Sequence, residues 1–224
     1  MSIRKRMIVL FFKVLTSVLC RIDDEQLRKV PPHGPLILVI NHINLVEIPV
    51  LYTRLQPRPL SGFVAAYRWE NPFLRWLLSS LDAIPLRRGT ADVSAMRRAL
   101  DRLQQGSILA VAPEGTRSGH GRLQRGHAGV VMLALQSGAP LQPVAFYGNE
   151  RFNHNLRRLR RTDFHLTVGE AFHLDPRGER VTRQVRQEMI EAVMYKLAAL
   201  LPAQYRGVYA DLNRTSEQYV RPAS

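Results

Sequence analysis

At 224 residues the chain is long enough to bury one substantial hydrophobic core, and no shift in composition marks a second domain. Its formal net charge of +14, from 32 Lys and Arg against 18 Asp and Glu, implies an acidic partner. Nucleic acid, anionic lipid headgroups and a phosphorylated small molecule all meet that condition. The single cysteine, Cys20, excludes an internal disulfide and a cysteine-based metal cluster.

The first predicted element is an N-terminal helix. Arg4, Lys5 and Arg6 precede an apolar run over residues 7–19 that is too short to span a bilayer. A basic end followed by an apolar stretch is typical of a helix that lies in the membrane interface, whereas the alternative is a helix packed on its own domain. A signal peptide is not favoured, because no Ala-x-Ala-type cleavage site follows.

After this helix, strand-like and helix-like segments alternate, which predicts an α/β fold. The predicted strands are residues 36–40, 60–67, 107–112, 141–147 and 164–172. The predicted helices are residues 71–81, 91–105, 127–137 and 181–201. We therefore expect three regions, which are a membrane-associating helix (1–30), a single α/β domain with a largely parallel sheet flanked by helices (31–202) and a polar surface tail (203–224).

The first candidate for chemistry follows the first strand, where His42 precedes Glu47 by five residues across a strand-to-helix turn. A carboxylate beside a histidine selects its tautomer and stabilises the imidazolium, so this pair suits a general base. Asn44 and Glu47 also fit a helix capping box, which leaves a purely structural role for the carboxylate open.

The second candidate is the turn Glu114-Gly115-Thr116-Arg117, which follows the strand 107–112. Such a turn exposes backbone N–H groups, and the planar guanidinium of Arg117 suits a phosphate. Ligands of open α/β sheets bind at the carboxyl ends of the strands, so the two candidates are expected to face one crevice. The alternative is a solvated turn with a weak surface ion pair.

Four motifs together resemble the glycerolipid acyltransferase family, over roughly residues 35–170. In chain order they are Asn41-His42, Ile84-Pro85-Leu86-Arg87-Arg88-Gly89, Pro113-Glu114-Gly115-Thr116-Arg117-Ser118 and Pro140-Leu141-Gln142-Pro143-Val144. The resemblance implies transfer of a fatty acyl group from acyl-CoA or acyl carrier protein to a lysophospholipid, with 1-acylglycerol-3-phosphate as the expected acceptor and phosphatidic acid as the product. It implies no cofactor beyond the donor substrate.

The resemblance also implies roles for individual residues. His42 would deprotonate the acceptor hydroxyl, which attacks the thioester without a covalent enzyme intermediate. Arg88 and Arg117 would hold the acceptor phosphate, and Glu114, Gly115 and Thr116 would help to bind the rest of the acceptor. One position departs from the family pattern of His, four residues, then Asp, because Glu47 stands where the aspartate is expected.

Two further segments indicate membrane contact. Trp69 and residues 72–78 combine aromatic, leucine and arginine residues as an interfacial helix does, although a core-facing helix has a similar pattern. The arginine-rich segment 157–161 is suited to anionic headgroups or a carrier protein, or is simply solvated. We expect a protein associated with the cytoplasmic face of a membrane.

Competing functions leave more of the sequence unexplained. A nucleic-acid-binding protein would account for the charge, but no known RNA- or DNA-binding module is present. Nucleic acid is therefore not expected as a partner. A serine hydrolase lacks its Gly-x-Ser-x-Gly elbow, and a P-loop is absent. The 7 histidines lack the spacing of metal ligands, so no metal site is expected.

Overall fold

A computed structural model describes residues 3–223 and contains a nine-stranded sheet with helices on both faces. The strands are β1 (Cys20–Asp23), β2 (Leu36–Ile40), β3 (Leu60–Ala65), β4 (Ile84–Leu86), β5 (Ile108–Val111), β6 (Leu141–Tyr147), β7 (Thr162–Val168), β8 (Phe172–Leu174) and β9 (Val220–Pro222). The α-helices are α1 (Ile3–Leu19), α2 (Glu47–Leu55), α3 (Pro72–Ser80), α4 (Val93–Gln104), α5 (Gly129–Ser137), α6 (Phe152–Arg157) and α7 (Arg183–Ala199).

The sheet has the order β1-β7-β6-β2-β5-β3-β4, and β8 and β9 branch from β6. Strands β6, β2, β5, β3 and β4 run parallel to one another, whereas β7 and β8 run antiparallel to β6. The expected single α/β domain with a largely parallel sheet is therefore confirmed. The parallel strands end together at one edge of the sheet, which we call the carboxyl edge, and start together at the opposite amino edge.

Two hydrophobic cores lie on the two faces of the sheet. In β2, Ile37 and Val39 belong to the core that contains side chains of α4, α5 and α7, whereas Leu36, Leu38 and Ile40 belong to the core that contains side chains of α1 and α2. All of these β2 side chains are buried because the strand is covered on both faces. This double burial explains why β2 reads as an unbroken apolar run.

Helix boundaries follow local capping residues. Asn71 begins α3 by accepting hydrogen bonds from the backbone N–H groups of Phe73 and Leu74 at 3.0 and 3.1 Å. Gly138 ends α5 in the left-handed conformation, with φ of 67°. These local signals are the reason that the predicted helices lie close to their positions in the structure.

The expectation of a helix over residues 1–30 was wrong in its extent. The helix α1 ends at Leu19, and Cys20–Asp23 forms β1 beside β7. The guanidinium of Arg161 donates to the carbonyl oxygens of Ser17 and Cys20, both at 2.7 Å, and so closes the end of α1. The short strand forms because of a partner far along the chain, which no local pattern indicates.

The expected surface tail over residues 203–224 instead packs on the domain as far as the structure describes it. Tyr209 and Tyr219 are buried, and β9 pairs with β8. The hydroxyl of Tyr209 accepts a hydrogen bond from the backbone N–H of Gly126 at 3.1 Å. Isolated aromatic residues between polar ones provide this packing, and such spacing lacks the periodicity of a helix or strand. The predicted strand 164–172 is also two strands, β7 and β8, which are separated near Gly169.

Candidate active site

The turns after β2 and β5 form one hydrogen-bonded unit at the carboxyl edge. The backbone N–H of His42 donates to Glu114 Oε1 at 2.9 Å. In return, the N–H groups of Ser118 and Gly119 donate to the carbonyl oxygens of His42 and Ile43 at 2.8 and 2.9 Å. Because β2 and β5 are adjacent and parallel, the two candidate motifs lie side by side.

His42 and Glu47 face each other within this unit. Nδ1 of His42 lies 3.3 Å from Oε2 of Glu47, whose side chain is fully buried, whereas the histidine side chain keeps 14% of its surface exposed. Neither of these two atoms makes a hydrogen bond to another part of residues 3–223. The carboxylate is therefore positioned to hold the imidazole in the tautomer that carries its proton on Nδ1.

The other oxygen of Glu47 supports the turn. Oε1 accepts hydrogen bonds from the backbone N–H groups of Ile43 at 3.1 Å and Asn44 at 2.8 Å. The contact with Asn44 is one half of a capping box, although Asn44 Oδ1 accepts from the N–H of Val46 rather than from Glu47 itself. Glu47 thus places one oxygen beside the imidazole of His42 and the other on the backbone of the turn.

Asn149 is a residue of this site that the sequence analysis missed. It is fully buried, and its Nδ2 donates to Glu47 Oε1 at 2.6 Å, while its carbonyl oxygen accepts from Asn44 Nδ2 at 2.7 Å. It follows β6, the neighbour of β2, directly after Gly148. A polar residue after a third parallel strand is the signal that identifies such a position.

Glu114 is buried and joins the turn after β2 to the loop that contains Gln124. Its Oε1 accepts from the backbone N–H of His42, and its Oε2 accepts from that of Gln124 at 2.9 Å. Burial raises the pKa of the Glu114 carboxyl, and these two N–H groups partly oppose the shift by stabilising the charged form. Because both oxygens are engaged, Glu114 supports the loops around the site.

The rest of this motif is exposed at the carboxyl edge. Gly115 has φ of 69°, and a Cβ built on it would lie 3.3 Å from Cδ2 of His127, so glycine suits both the turn and this close approach. Thr116 and Arg117 are exposed, and no group within residues 3–223 accepts a hydrogen bond from their backbone N–H groups or from the Arg117 guanidinium. These donors are therefore available to an anionic ligand.

Arg88 lies at the same edge but apart from His42. It follows β4, which is three strand positions from β2, or about 14 Å at the usual strand spacing. Its side chain is exposed and forms no ion pair within the part of the chain that the structure describes. Neighbouring Arg87 differs, because its N–H donates to Asp92 Oδ2 at 2.9 Å and its Nε lies 3.6 Å from the same oxygen.

Asp92 fixes the turn that carries Arg88. Its Oδ1 accepts from the backbone N–H of Ala95 at 3.1 Å and so caps α4. The backbone N–H groups of Arg87 and Ala95 hold the pKa of the Asp92 carboxyl below its usual value. The carboxylate thereby joins the start of α4 to the arginine turn.

Other parts of the described chain do not enlarge this site. A cavity of about 200 Å³ lies at the amino edge, where Asp82 already pairs with Lys5 at 2.6 Å and with Arg102 at 3.4 Å. Within residues 3–223, no three His, Cys, Asp or Glu side chains are grouped to hold a metal ion.

A largely parallel α/β sheet with a histidine–carboxylate pair beside a Glu-Gly-Thr-Arg turn defines the class of glycerolipid acyltransferase domains. The family model described as Acyltransferase matches residues 21–147, and the chain belongs to this family. A solved structure, that of the 1-acyl-sn-glycerophosphate acyltransferase PlsC from Thermotoga maritima, superposes with a TM-score of 0.59 at 24% identity. That match covers 84% of this chain and 76% of the other, and it supports the same fold.

Curated relatives differ in name and in extent of match. A lyso-ornithine lipid O-acyltransferase from Pseudomonas aeruginosa is 30% identical over 51% of this chain. That match covers 43% of the relative, so the chain spans less than half of its length. A 1-acyl-sn-glycerol-3-phosphate acyltransferase from Bacillus subtilis is 21% identical over 84% of this chain and 92% of its own length.

Proposed function

We propose that this protein transfers a fatty acyl group from acyl-CoA or acyl carrier protein to the free hydroxyl of a lysophospholipid, with 1-acylglycerol-3-phosphate as acceptor and phosphatidic acid as product. The observation that carries the proposal is the pairing of His42 Nδ1 with the buried Glu47 Oε2 at 3.3 Å. With Nδ1 directed to the carboxylate, Nε2 holds the lone pair and is the nitrogen that can accept a proton.

The reaction needs one proton relay. Nε2 of His42 takes the proton of the acceptor hydroxyl while the hydroxyl oxygen attacks the thioester carbonyl, and Glu47 stabilises the imidazolium. The tetrahedral intermediate then collapses, so that the carbon–sulfur bond breaks and an ester bond remains. The departing thiolate receives the proton from the imidazolium, which restores the neutral histidine.

The exposed donors around His42 support an acceptor that carries phosphate. The Arg117 guanidinium and the backbone N–H groups of Thr116 and Arg117 have no acceptor within residues 3–223. Arg88, at the same edge, supplies a second unpaired guanidinium. Hydrogen bonds between charged groups are about twice as strong as neutral ones, so a phosphate gains most from this arrangement.

A second acceptor, a lyso-ornithine lipid, is supported by the name of the relative that is 30% identical. An ornithine headgroup has no phosphate, so Arg88 and Arg117 would contribute less to its binding. The two acceptors therefore make different demands on the same arginines.

Association with the cytoplasmic face of a membrane is part of the proposal, and apolar surface on one side of the sheet supports the membrane contact. The outer side of α1 exposes Ile3, Met7, Leu10, Phe11, Val14 and Val18. In α3, Phe73 and Trp76 are exposed, and the Arg4 guanidinium lies 5.9 Å from the Trp76 ring, which links the two helices. Leu45 and Ile48, on either side of the turn that holds Glu47, are exposed as well. Across residues 3–223 no helix has the length and apolarity needed to cross a bilayer.

The test is a product analysis with purified protein. A panel of 1-acylglycerol-3-phosphate, monoacylglycerol and lyso-ornithine lipid is offered with acyl-CoA and with acyl carrier protein thioester, and products are identified by mass spectrometry. We expect diacylated product from the phosphate-bearing acceptor, and roughly two to four orders of magnitude less of it from His42→Ala. Absence of acyl transfer to every acceptor, together with retention on a nucleic-acid column, would instead favour a basic nucleic-acid-binding protein.

A further inference from the structure

The turn between α6 and β7 displays a leucine to solvent among arginines. Leu159 is 95% exposed, more than any other large hydrophobic side chain within the described range 3–223. Leu156 is 41% exposed, and Arg157, Arg158 and Arg160 beside it are exposed too. None of these arginine side chains pairs with another group of the described chain. An apolar tip surrounded by unpaired cations is the composition of a membrane-contacting loop.

The turn is well defined, so the exposure of Leu159 is a property of the fold. The N–H of Leu159 donates to the Leu156 carbonyl at 3.1 Å, and the N–H of Arg160 donates to the Asn155 carbonyl at 2.9 Å. These two bonds form a Schellman motif at the end of α6. Asn155 Nδ2 also donates to Thr162 Oγ1 at 3.1 Å, which joins the turn to β7.

Leucine is an unfavourable residue for this position. Leu159 occupies the left-handed region with φ of 51°, at the place in the motif where glycine is usual because it has no Cβ. A fold that needed only the turn would be more stable with glycine there. A strained apolar residue that is fully exposed therefore points to a use outside the chain.

The turn is attached to the end of α1. Arg161, which follows it, donates to the carbonyl oxygens of Ser17 and Cys20, both at 2.7 Å. Cys20 pairs with Thr162 at the start of β7, and β7 runs antiparallel to β6, so the turn lies at the carboxyl edge. The C-terminal end of α1 and the tip at Leu159 thus lie together at the edge that carries His42.

We propose that the turn 156–161 is a second membrane anchor, which inserts Leu159 into the acyl layer while Arg157, Arg158 and Arg160 contact the phosphates of anionic lipids. Charge complementarity selects an anionic bilayer surface as the partner. This inference rests on the membrane association in the proposed function, and it adds that two separate contacts, α1 and the turn, hold the carboxyl edge against the lipid.

The first experiment separates stability from membrane binding. Leu159→Gly and Leu159→Asn both suit the left-handed conformation, so their thermal melts should equal or exceed that of the parent. Their partition onto vesicles that contain phosphatidylglycerol should nevertheless fall roughly fivefold to tenfold, because the apolar side chain that would insert into the acyl layer is lost. Parent-like vesicle binding by both variants would overturn the proposal.

The second experiment tests the charges against a matched control. Replacing Arg157, Arg158 and Arg160 together by Gln should reduce binding to anionic vesicles by about fivefold per arginine and leave binding to phosphatidylcholine vesicles unchanged. The control replaces Arg177, Arg180 and Arg183, which are exposed before and at the start of α7 on the other face of the sheet. Equal losses from both triple variants would mean that net charge alone matters and would reject the anchor.

An acidic acyl carrier protein is the other partner that an arginine cluster fits. If the turn bound that protein, the Arg157, Arg158 and Arg160 variant would keep vesicle binding and lose transfer from the carrier thioester alone, with acyl-CoA still used. That result would overturn the lipid proposal. Vesicle binding is measured without turnover, so failure of the anchor and failure of acyl transfer are observed separately.

Discussion

The backbone N–H of His42 donates to Oε1 of Glu114 at 2.9 Å, and this bond joins turns that are 72 positions apart in the chain. This bond holds the backbone of His42, while the Glu47 carboxylate faces the imidazole ring. The position of His42 is therefore set by two buried carboxylates from two different turns. One acts on the main chain and the other on the side chain.

Replacing His42 by alanine should lower turnover by roughly two to four orders of magnitude, because the proton acceptor is lost. The fold should persist, since the backbone N–H that binds Glu114 is unchanged. Steady-state kinetics beside a thermal melt provide the check. A folded variant with nearly normal acyl transfer would remove His42 from the mechanism.

The arginines should distinguish acceptors by their phosphate. Arg117→Ala and Arg88→Ala should each reduce kcat/KM toward 1-acylglycerol-3-phosphate by roughly tenfold to a hundredfold, because a charge-assisted hydrogen bond is lost. The loss toward monoacylglycerol should be small. Equal losses on the two acceptors would indicate that these residues bind the donor or support the structure.

The pKa shifts of Glu114 and Asp92 predict opposite effects of pH on stability. Because the folded-state pKa of Glu114 is raised, this group stabilises the fold at pH values below its unfolded pKa near 4.5. That stabilisation is lost as pH rises through the folded-state pKa. The melting temperature of the parent relative to Glu114→Gln should therefore fall between pH 4 and pH 7.

Asp92 has a lowered pKa in the folded state, so this group stabilises the fold at pH values above its unfolded pKa near 3.8. That stabilisation is lost as pH falls through the folded-state pKa. The melting temperature of the parent relative to Asp92→Asn should therefore rise as pH increases toward about 3.8 and change little from there to pH 7. Thermal melts of the three proteins across pH 3 to pH 7 measure both differences. Slopes of the same sign would contradict the assignment.

The apolar side of α1 can be tested with one pair of matched substitutions. Val14 on α1 and Val93 at the start of α4 are both exposed, but α4 packs on the other face of the sheet. Val14→Asp should weaken binding to anionic vesicles by about tenfold or more, whereas Val93→Asp should leave it unchanged. Neither melt should change much, since both side chains are in solvent. Equal vesicle binding by the two variants would exclude α1 as a lipid contact.

The sequence predicted the central strands because burial on both faces leaves a continuous apolar run, as in β2 and β5. It also predicted that His42 and Glu114 would meet, because both follow parallel strands of one sheet. Cys20–Asp23 and Val220–Pro222 escaped prediction, since these strands are short, each contains charged residues, and both depend on distant partners. Asn149 escaped for the same reason, because its bond to Glu47 spans 102 positions.

The last prediction separates the two functions of Glu47. In Glu47→Gln the amide oxygen can take the place of Oε1, which accepts from the N–H groups of Ile43 and Asn44, so the turn should remain folded. The NH₂ group would then face Nδ1 of His42. A donor there favours the tautomer with its proton on Nε2, which cannot accept the hydroxyl proton, and turnover should fall by roughly three to four orders of magnitude.

Asn149→Ala provides the contrasting variant. It removes the 2.6 Å bond from Nδ2 to Glu47 Oε1 and leaves a buried acceptor short of one donor, so it should lower stability by roughly 1 to 3 kcal/mol. Because the charge of Glu47 is retained, turnover of the folded fraction should fall far less than in Glu47→Gln. Thermal melts and turnover of both variants distinguish the role of Glu47 in the turn from its role beside His42. A stable and fully active Glu47→Gln would show that this carboxylate serves the turn alone and that His42 works without it.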